Sequence, residues 1–312
     1  MANLIEPITC GVDVSKETLD IAESDRCVER IPNTVEAATK WLQTLPEGTR
    51  VAIEATGQYH EMLLGLALEY ELEVYIINGK QLHHYREAVG PRAKTDAQDA
   101  QLLRRYLSQE YSHLTPVKPL NKQEKRLWRL LKRRAALVKA KTAIRASLKG
   151  DPDVECICQG VVSELERTVR RIERLMRTIA IDLGWGQALQ HCRSIPGIGP
   201  VSGLALVTCF HRGTFRGIDQ FIAYIGLDVR VRDSGKMRGK RKLTKRGESE
   251  MRRLLYISAL TFARDPHFKP AYERYRHRGM SATAAYVALA RKLARIAFAV
   301  MTKKEDFSYV RA

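Results

Sequence analysis

ITCGVDVSKETLDIAESDRCVERI, residues 8–31, contains three short apolar runs: Ile8–Val14, Leu19–Ala22 and Val28–Ile31. Runs this short, rich in β-branched residues and separated by polar clusters, read as strands, and three in succession read as a meander. Working outward, Asn33–Thr34 offers a cap for a helix running through Leu45, with Ala37, Ala38, Trp41, Leu42 and Leu45 on its inner side. Arg50-Val-Ala-Ile-Glu-Ala-Thr-Gly57 is a further strand ending near Glu54. A helix is expected over about 59–70, a strand over Leu72–Asn78 (LEVYIIN) and a helical stretch over 80–89. Three strands followed by alternating helix and strand specify an α/β unit with a mixed sheet.

The acids of this unit fall at informative places. Asp13 and Glu54 each stand at the C-terminal end of an expected strand, the edge at which open α/β sheets bind ligands. Downstream, PRAKTDAQDAQLLRR (residues 91–105) places Thr95 as a cap before a helix starting at Asp96. Asp96 and Asp99 lie three residues apart, so both carboxylates share one helical face. Alone, such a pair is an acidic first turn that suits the helix dipole, Asp13 an ordinary strand-end residue and Glu54 a cap for the following helix. Four acids converging on one sheet edge would instead repel one another unless cations lay between them. Mg²⁺ (or Mn²⁺) accepts a few carboxylates together with phosphate oxygens, and such a layout suits metal-dependent phosphoryl transfer.

Charge divides the chain sharply. It has 312 residues and a net charge of +18, yet residues 1–117 hold 11 Lys/Arg against 18 Asp/Glu, whereas residues 118–312 hold 42 against 17. A strongly basic second part points to a polyanionic partner. Residues 118–149 carry twelve Lys/Arg and one acid, Glu124, around a stripe of Leu120, Leu127, Leu131, Val138, Ile144 and Leu148. Lys132, Arg133 and Arg134 there, with Lys94, are candidates for nucleic-acid phosphate contact. Gly150-Asp-Pro152 breaks this helix. Over 161–183, Val162, Leu165, Val169, Ile172, Met176, Ile179 and Leu183 form a heptad seam that either folds back on 118–149 or pairs with a partner chain.

Beyond Cys192, Ser194-Ile-Pro-Gly-Ile-Gly-Pro200 reads as the turn of a helix-hairpin-helix-like motif, or as a plain Gly/Pro turn between helices. Helices are expected at 201–208, 218–225, 252–262 and 282–301, with a loose tail after Lys303. Residues 230–253 hold eleven Lys/Arg and three acids. Within them Ser234 precedes Gly235. A serine among arginines is ordinarily a polar loop residue, but cations also suit a nucleophile that attacks phosphate. Arg238, Lys240, Arg241, Lys242, Lys245, Arg246 and Arg252 are the cations expected to hold nucleic acid near it. No apolar run reaches the length of a membrane span, nothing at the N-terminus reads as a signal peptide, and the six cysteines form no C-x-x-C pair, as expected of reduced thiols.

With these residues in place, the chain resembles the IS110 family of transposases, including its IS1111 branch. The matching strings are GVDVSKETLDIA (11–22), IEATGQY (53–59), KTDAQDA (94–100), SIPGIGPVSGLAL (194–206) and the series Ser234-Gly235, Arg238-Gly239, Thr244–Gly247 and Arg252–Tyr256. They span nearly the whole chain. Met251 departs from the leucine common in that family, and the insert is short. The resemblance implies three parts. Residues 1–117 would be an RNase H-like, RuvC-like mixed-sheet domain with a DEDD metal site at Asp13, Glu54, Asp96 and Asp99. Residues 118–190 would be a coiled-coil region. Residues 191–312 would be a helical transposase domain with Ser234 as nucleophile. It further implies donor and target double-stranded DNA, a structured guide RNA of the bridge type, dimers joining into tetramers, and work on DNA in a bacterial cytosol. The rival readings are a RuvC-like nuclease using metal-activated water, a non-catalytic nucleic-acid-binding protein, and an actin-like sugar kinase. Against the last stand the basic second half and the missing glycine-rich adenine motif.

Overall fold

In a computed structural model, which describes residues 8–24, 27–55, 57–89, 95–230, 233–234, 237–239, 241–244 and 247–309, the three leading runs become β1 (Thr9–Val14), β2 (Thr18–Ala22) and β3 (Val28–Pro32). After α1 (Val35–Leu42) come β4 (Arg50–Glu54), α2 (Glu61–Glu69), β5 (Glu73–Ile77), α3 (Gly79–Val89) and α4 (Asp96–Glu110). The strands lie in the order β3-β2-β1-β4-β5. β1, β2 and β3 pair antiparallel, as a meander must, while β4 and β5 run parallel to β1. The mixed sheet read from the sequence is therefore present, in the first of two compact units, Met1–Pro119 and Leu120–Ala312.

Side-chain alternation gives this sheet two apolar faces. Cys10, Val12, Val51, Ile53 and Val74 pack beneath Trp41 and Leu42 of α1 and Leu63 and Ala67 of α2. Ala52, Tyr75 and Ile77 point to the other side and meet Leu82 of α3 and Leu102, Leu103 and Leu107 of α4. Leu103 and Leu107 are fully buried, each contributing roughly 1.5–3 kcal/mol to holding α4 on the sheet. Gly11 shares that second face. A Cβ at Gly11 would run into the backbone of Ala100 and Arg104, so its missing side chain is what lets α4 lie directly on β1.

The second unit is helical apart from a small ribbon. α5 (Lys122–Leu148) starts at a reciprocal cap. The Asn121 Oδ1 accepts from the Glu124 N–H at 2.9 Å, and the Glu124 carboxylate accepts from the Asn121 N–H at 2.8 Å. α6 (Pro152–Asp182) begins nine residues before the heptad seam, because Asp151 caps it and Pro152 fits a first-turn position that needs no N–H. Gly150, at φ +96°, makes the reversal between the two helices. α6 folds back on α5. Arg134–Glu173 (2.8 Å), Lys141–Glu166 (3.2 Å) and Arg145–Glu166 (2.9 Å) tie them antiparallel, and Val162, Val169, Met176 and Ile179 are buried.

Next come α7 (Gly186–Arg193), α8 (Pro200–Arg212), α9 (Ile218–Tyr224), four two-residue strands β6 (Val229–Arg230), β7 (Asp233–Ser234), β8 (Met237–Arg238) and β9 (Lys242–Leu243), then α10 (Ser249–Phe262), α11 (Lys269–His277) and α12 (Ala282–Lys303). α12 supplies Leu289, Leu293 and Ala297 to a core shared with Phe221, Leu255 and Phe262. The segment after Lys303 is docked rather than loose. Phe307 packs against Phe268 with the rings tilted and their centroids 6.0 Å apart, and Asp306 pairs with His191 at 2.7 Å. Among the described residues, no helix is long and apolar enough to cross a membrane.

Candidate catalytic site and nucleic-acid surface

Asp13 lies on β1 two residues after Gly11, so it faces the side on which α4 rests. The parallel register places Val12 beside Ile53, so Asp13, one residue before the end of β1, and Glu54, the last of β4, stand at the same level on neighbouring strands. α4 begins where the sequence reading put it. The Thr95 Oγ1 accepts from the Gln98 N–H at 3.3 Å, and Asp96 and Asp99 occupy the first turn. The four acids thereby share one electrostatic site. The Asp13 carboxyl is pushed up from 3.8 to about 6, first by burial, then by the negative charges of Glu54, Asp99, Asp96 and Asp20.

Two arginines answer part of that charge. The Arg30 guanidinium donates to both carboxylate oxygens of Asp20, at 3.0 and 3.1 Å, and reaches Asp96 at 3.2 Å. Arg86 of α3 donates to Asp99, whose side chain is only 7% exposed. Glu54 Oε1 lies against Gly79, where a Cβ would stand 2.5 Å from it. Gly79 opens α3, and the dipole at a helix start favours an anion. The residue that Glu54 abuts is thus the start of α3, not the helix immediately after β4.

No group of three or more His, Cys, Asp or Glu side chains among the described residues is arranged to enclose a metal ion. Asp96 and Asp99 are turned to guanidinium groups instead. The donor set nonetheless fits a hard divalent cation, since it consists of carboxylate oxygens, and Asp13 is raised first by burial and then by the neighbouring carboxylates. Sequence reasoning missed Asp20, Arg30 and Arg86. Asp20 alternates with Leu19 and Ile21, which places it on the opposite face from those two, and register sets it directly across from Asp13 and Arg30.

Ser234 belongs to the second unit. Its backbone lies in β7, paired with β8 in the register Ser234 to Met237 and Asp233 to Arg238. This hairpin sits beyond a base made by β6 and β9, where Val229 pairs with Leu243 and the Thr244 hydroxyl bonds to Asp228. The base is closed by two glycines. Gly226 adopts φ +73°, and a Cβ on it would come 2.5 Å from the Gly247 nitrogen. Arg252 donates to the Gly247 carbonyl at 2.5 Å and so helps clasp the ribbon. The segment carrying the serine is thus a short two-stranded hairpin lying in the chain between the paired strands β6 and β9.

The predicted cations differ in setting. Lys132, Arg133, Arg241 and Lys242 are exposed, with Lys132 3.6 Å from Glu248. Arg134 is only 12% exposed and is engaged by Glu173 at 2.8 Å and Glu250 at 3.3 Å. It is an internal counter-ion, as a cation flanked by two acids in a helical interface must be. Lys94, Lys240, Lys245 and Arg246 lie outside the described residues, and Arg238 is placed only as the β8 partner of Asp233. In the glycine turn before α8, Gly197 (φ +82°) packs on α10, where a Cβ would meet the Ser258 carbonyl oxygen at 2.7 Å. Gly199 faces open space and has no such neighbour. Cys10, Cys192 and Cys209 are buried thiols pushed up to about 12, chiefly by burial, which leaves them unreactive.

Comparison with known proteins agrees with this arrangement along the chain. Residues 10–150 match the family DEDD_Tnp_IS110, described as a transposase, and residues 189–273 match the transposase family of IS116, IS110 and IS902. A pilin gene-inverting protein of Moraxella bovis is 29% identical over 95% of this chain and 96% of its own length. Its counterpart in Moraxella lacunata is 28% identical with the same coverage. A probable family 20 transposase of Pseudomonas aeruginosa is 30% identical over 45% of this chain and 43% of its own. The acids at the sheet edge fall in the first matched region and the serine ribbon in the second, and on these matches the chain belongs to the IS110 family of transposases.

Proposed function

We propose that the chain is a recombinase that cuts and rejoins DNA strands through Ser234, working with Mg²⁺ or Mn²⁺ at Asp13, Glu54, Asp96 and Asp99. The observation that carries this reading is the convergence of those four acids on one field, felt as the raised Asp13 carboxyl. A divalent cation bound there supplies positive charge to the oxygens of the scissile phosphate. The Ser234 oxygen attacks phosphorus, so that a serine–phosphorus bond forms as the bond from phosphorus to the 3′ oxygen breaks. The serine proton is given up, and the departing oxygen takes one to become a 3′ hydroxyl. Attack by the 3′ hydroxyl of an exchanged strand reverses the step. The phosphodiester energy is kept in the covalent intermediate throughout, so no nucleotide triphosphate is needed.

Exposed cations, Lys132, Arg133, Arg241 and Lys242 among them, hold phosphates by charge without reading sequence. Lys94, Arg238, Lys240, Lys245 and Arg246, with the half-buried Arg252, belong to the same proposed phosphate-binding group. Sequence choice then rests on base pairing with a structured RNA, the protein recognising duplex shape and backbone. Dimers joining into tetramers would bring the acids of one protomer to the serine of another. In this reading residues 1–117 hold the acids, 118–190 connect and pair, and 191–312 deliver the serine. Ser234→Ala should abolish covalent protein–DNA adducts in a trapping assay and leave RNA binding unchanged. Adducts that persist in the variant would remove the serine from the mechanism.

A further inference from the structure

The large cavities of the second unit differ in how their charges are balanced. One, about 820 Å³, lies between α5 and the start of α10. Of the ionic groups lining it, Glu250 is paired with Arg253 and Glu248 with Lys132, which leaves Lys139 as a single cation without a carboxylate partner among the described residues. A second cavity, about 330 Å³, is walled by α6, α7 and the start of α8. Its floor is apolar, formed by Met176, Leu189 and Leu204. Its rim carries Arg170, Arg174, Arg177 and Arg193. The one acid in the lining, Glu173, is already engaged by Arg134 at 2.8 Å. Arg170 stands 3.8 Å from Glu166. Among the described residues no carboxylate is within ion-pair reach of Arg174, Arg177 or Arg193, and all three are exposed.

Three uncompensated guanidinium groups around one concavity favour an anion. Their spacing argues for a chain of anions rather than a single one. Arg174 and Arg177 lie on one side of α6, about 4.5 Å apart along its axis, and Arg193 of α7 lines the same cavity. One strand of a nucleic-acid duplex presents a phosphate about every 3.4 Å of axis, so the α6 pair suits neighbouring phosphates of one strand. We infer that the Arg174–Arg177–Arg193 rim is a binding site for the phosphodiester backbone of nucleic acid, additional to the cations on α5 and around Ser234. This inference rests on the reading that the chain acts on nucleic acid.

The test uses the full chain and fluorescence anisotropy at a series of KCl concentrations. The probes are a duplex DNA and a single-stranded RNA of equal length. Arg174→Gln/Arg177→Gln/Arg193→Gln should lower the slope of log K against log salt by about 0.9 per lost duplex contact, or about 0.7 per single-strand contact. The expected total is therefore a fall of about 2–3, and the probe that shows it identifies the backbone held there. The corresponding triple change to Lys should keep the slope, because the charge is retained. A control that removes equal charge elsewhere, Arg278→Gln/Lys303→Gln/Lys304→Gln, should lower it by less than about 1. An unchanged slope for both probes, an equal fall in the control, or an equal fall in the Lys variant would overturn the site. Failure of the unaltered chain to bind either probe would instead reject the nucleic-acid reading itself.

Discussion

Replacing Asp13 with Asn keeps the shape of the side chain and deletes one of four crowded charges. In the folded chain the Asp13 carboxyl is raised from 3.8 to about 6, by burial first and by Glu54, Asp99, Asp96 and Asp20 after it. A carboxyl raised in this way contributes stability below about pH 4, and that contribution is lost as the pH rises through about 6. At pH 7.5 without divalent ions, ionised Asp13 therefore works against folding. A shift of two units corresponds to about 3 kcal/mol at most. Asp13 is half-buried, so solvent screening reduces this to roughly 1 kcal/mol. Asp13→Asn should then stabilise the N-terminal unit in EDTA by about 1 kcal/mol at pH 7.5, and the advantage should shrink toward zero near pH 4. Amide hydrogen exchange of peptides covering Thr9–Val14 and Arg50–Glu54, compared between the two proteins at each pH, reads this directly. A destabilised variant, or an advantage that persists at pH 4, would refute the reasoning.

Other consequences follow from the same geometry. Gly79→Ala places a Cβ 2.5 Å from Glu54 Oε1. The flexible end of Glu54 can move aside, so the thermal transition should shift little, while strand exchange should fall tenfold or more because a displaced catalytic group costs rate steeply. Gly226→Ala combines a left-handed backbone, φ +73°, with a clash against Gly247. It should cost about 1–3 kcal/mol in urea unfolding and lower the yield of covalent adduct through the ribbon that carries Ser234.

Much of the first unit was legible because its signals are local. Short β-branched runs mark β1, β4 and β5, Thr95 marks the start of α4, and acids at strand ends mark the sheet edge. The partners of those acids were not legible. Arg30 meets Asp20 through cross-strand register, and Arg86 reaches Asp99 only because α3 and α4 pack together. Neither relation has a fixed spacing along the chain. In the second unit, Gly150-Asp-Pro152 was readable as a break but hides a start, since the same Asp and Pro that end α5 cap α6. The ribbon around Ser234 escaped because its strands are two residues long and dense with cations, so no alternation develops. Around Gly197 the sequence left two kinds of turn open, and it could not show that the close neighbour of this glycine is α10, which begins some fifty residues further on.

The central claim is that Asp13, Glu54, Asp96 and Asp99 act together as a site for a divalent cation. Mn²⁺ titration of the full chain, followed by the electron paramagnetic resonance signal of free Mn²⁺, tests it without any need for DNA or activity. The account predicts a bound ion whose affinity falls at least tenfold in both Asp13→Asn and Asp99→Asn. Equal Mn²⁺ binding in all three proteins, or none in the unaltered chain, would contradict it.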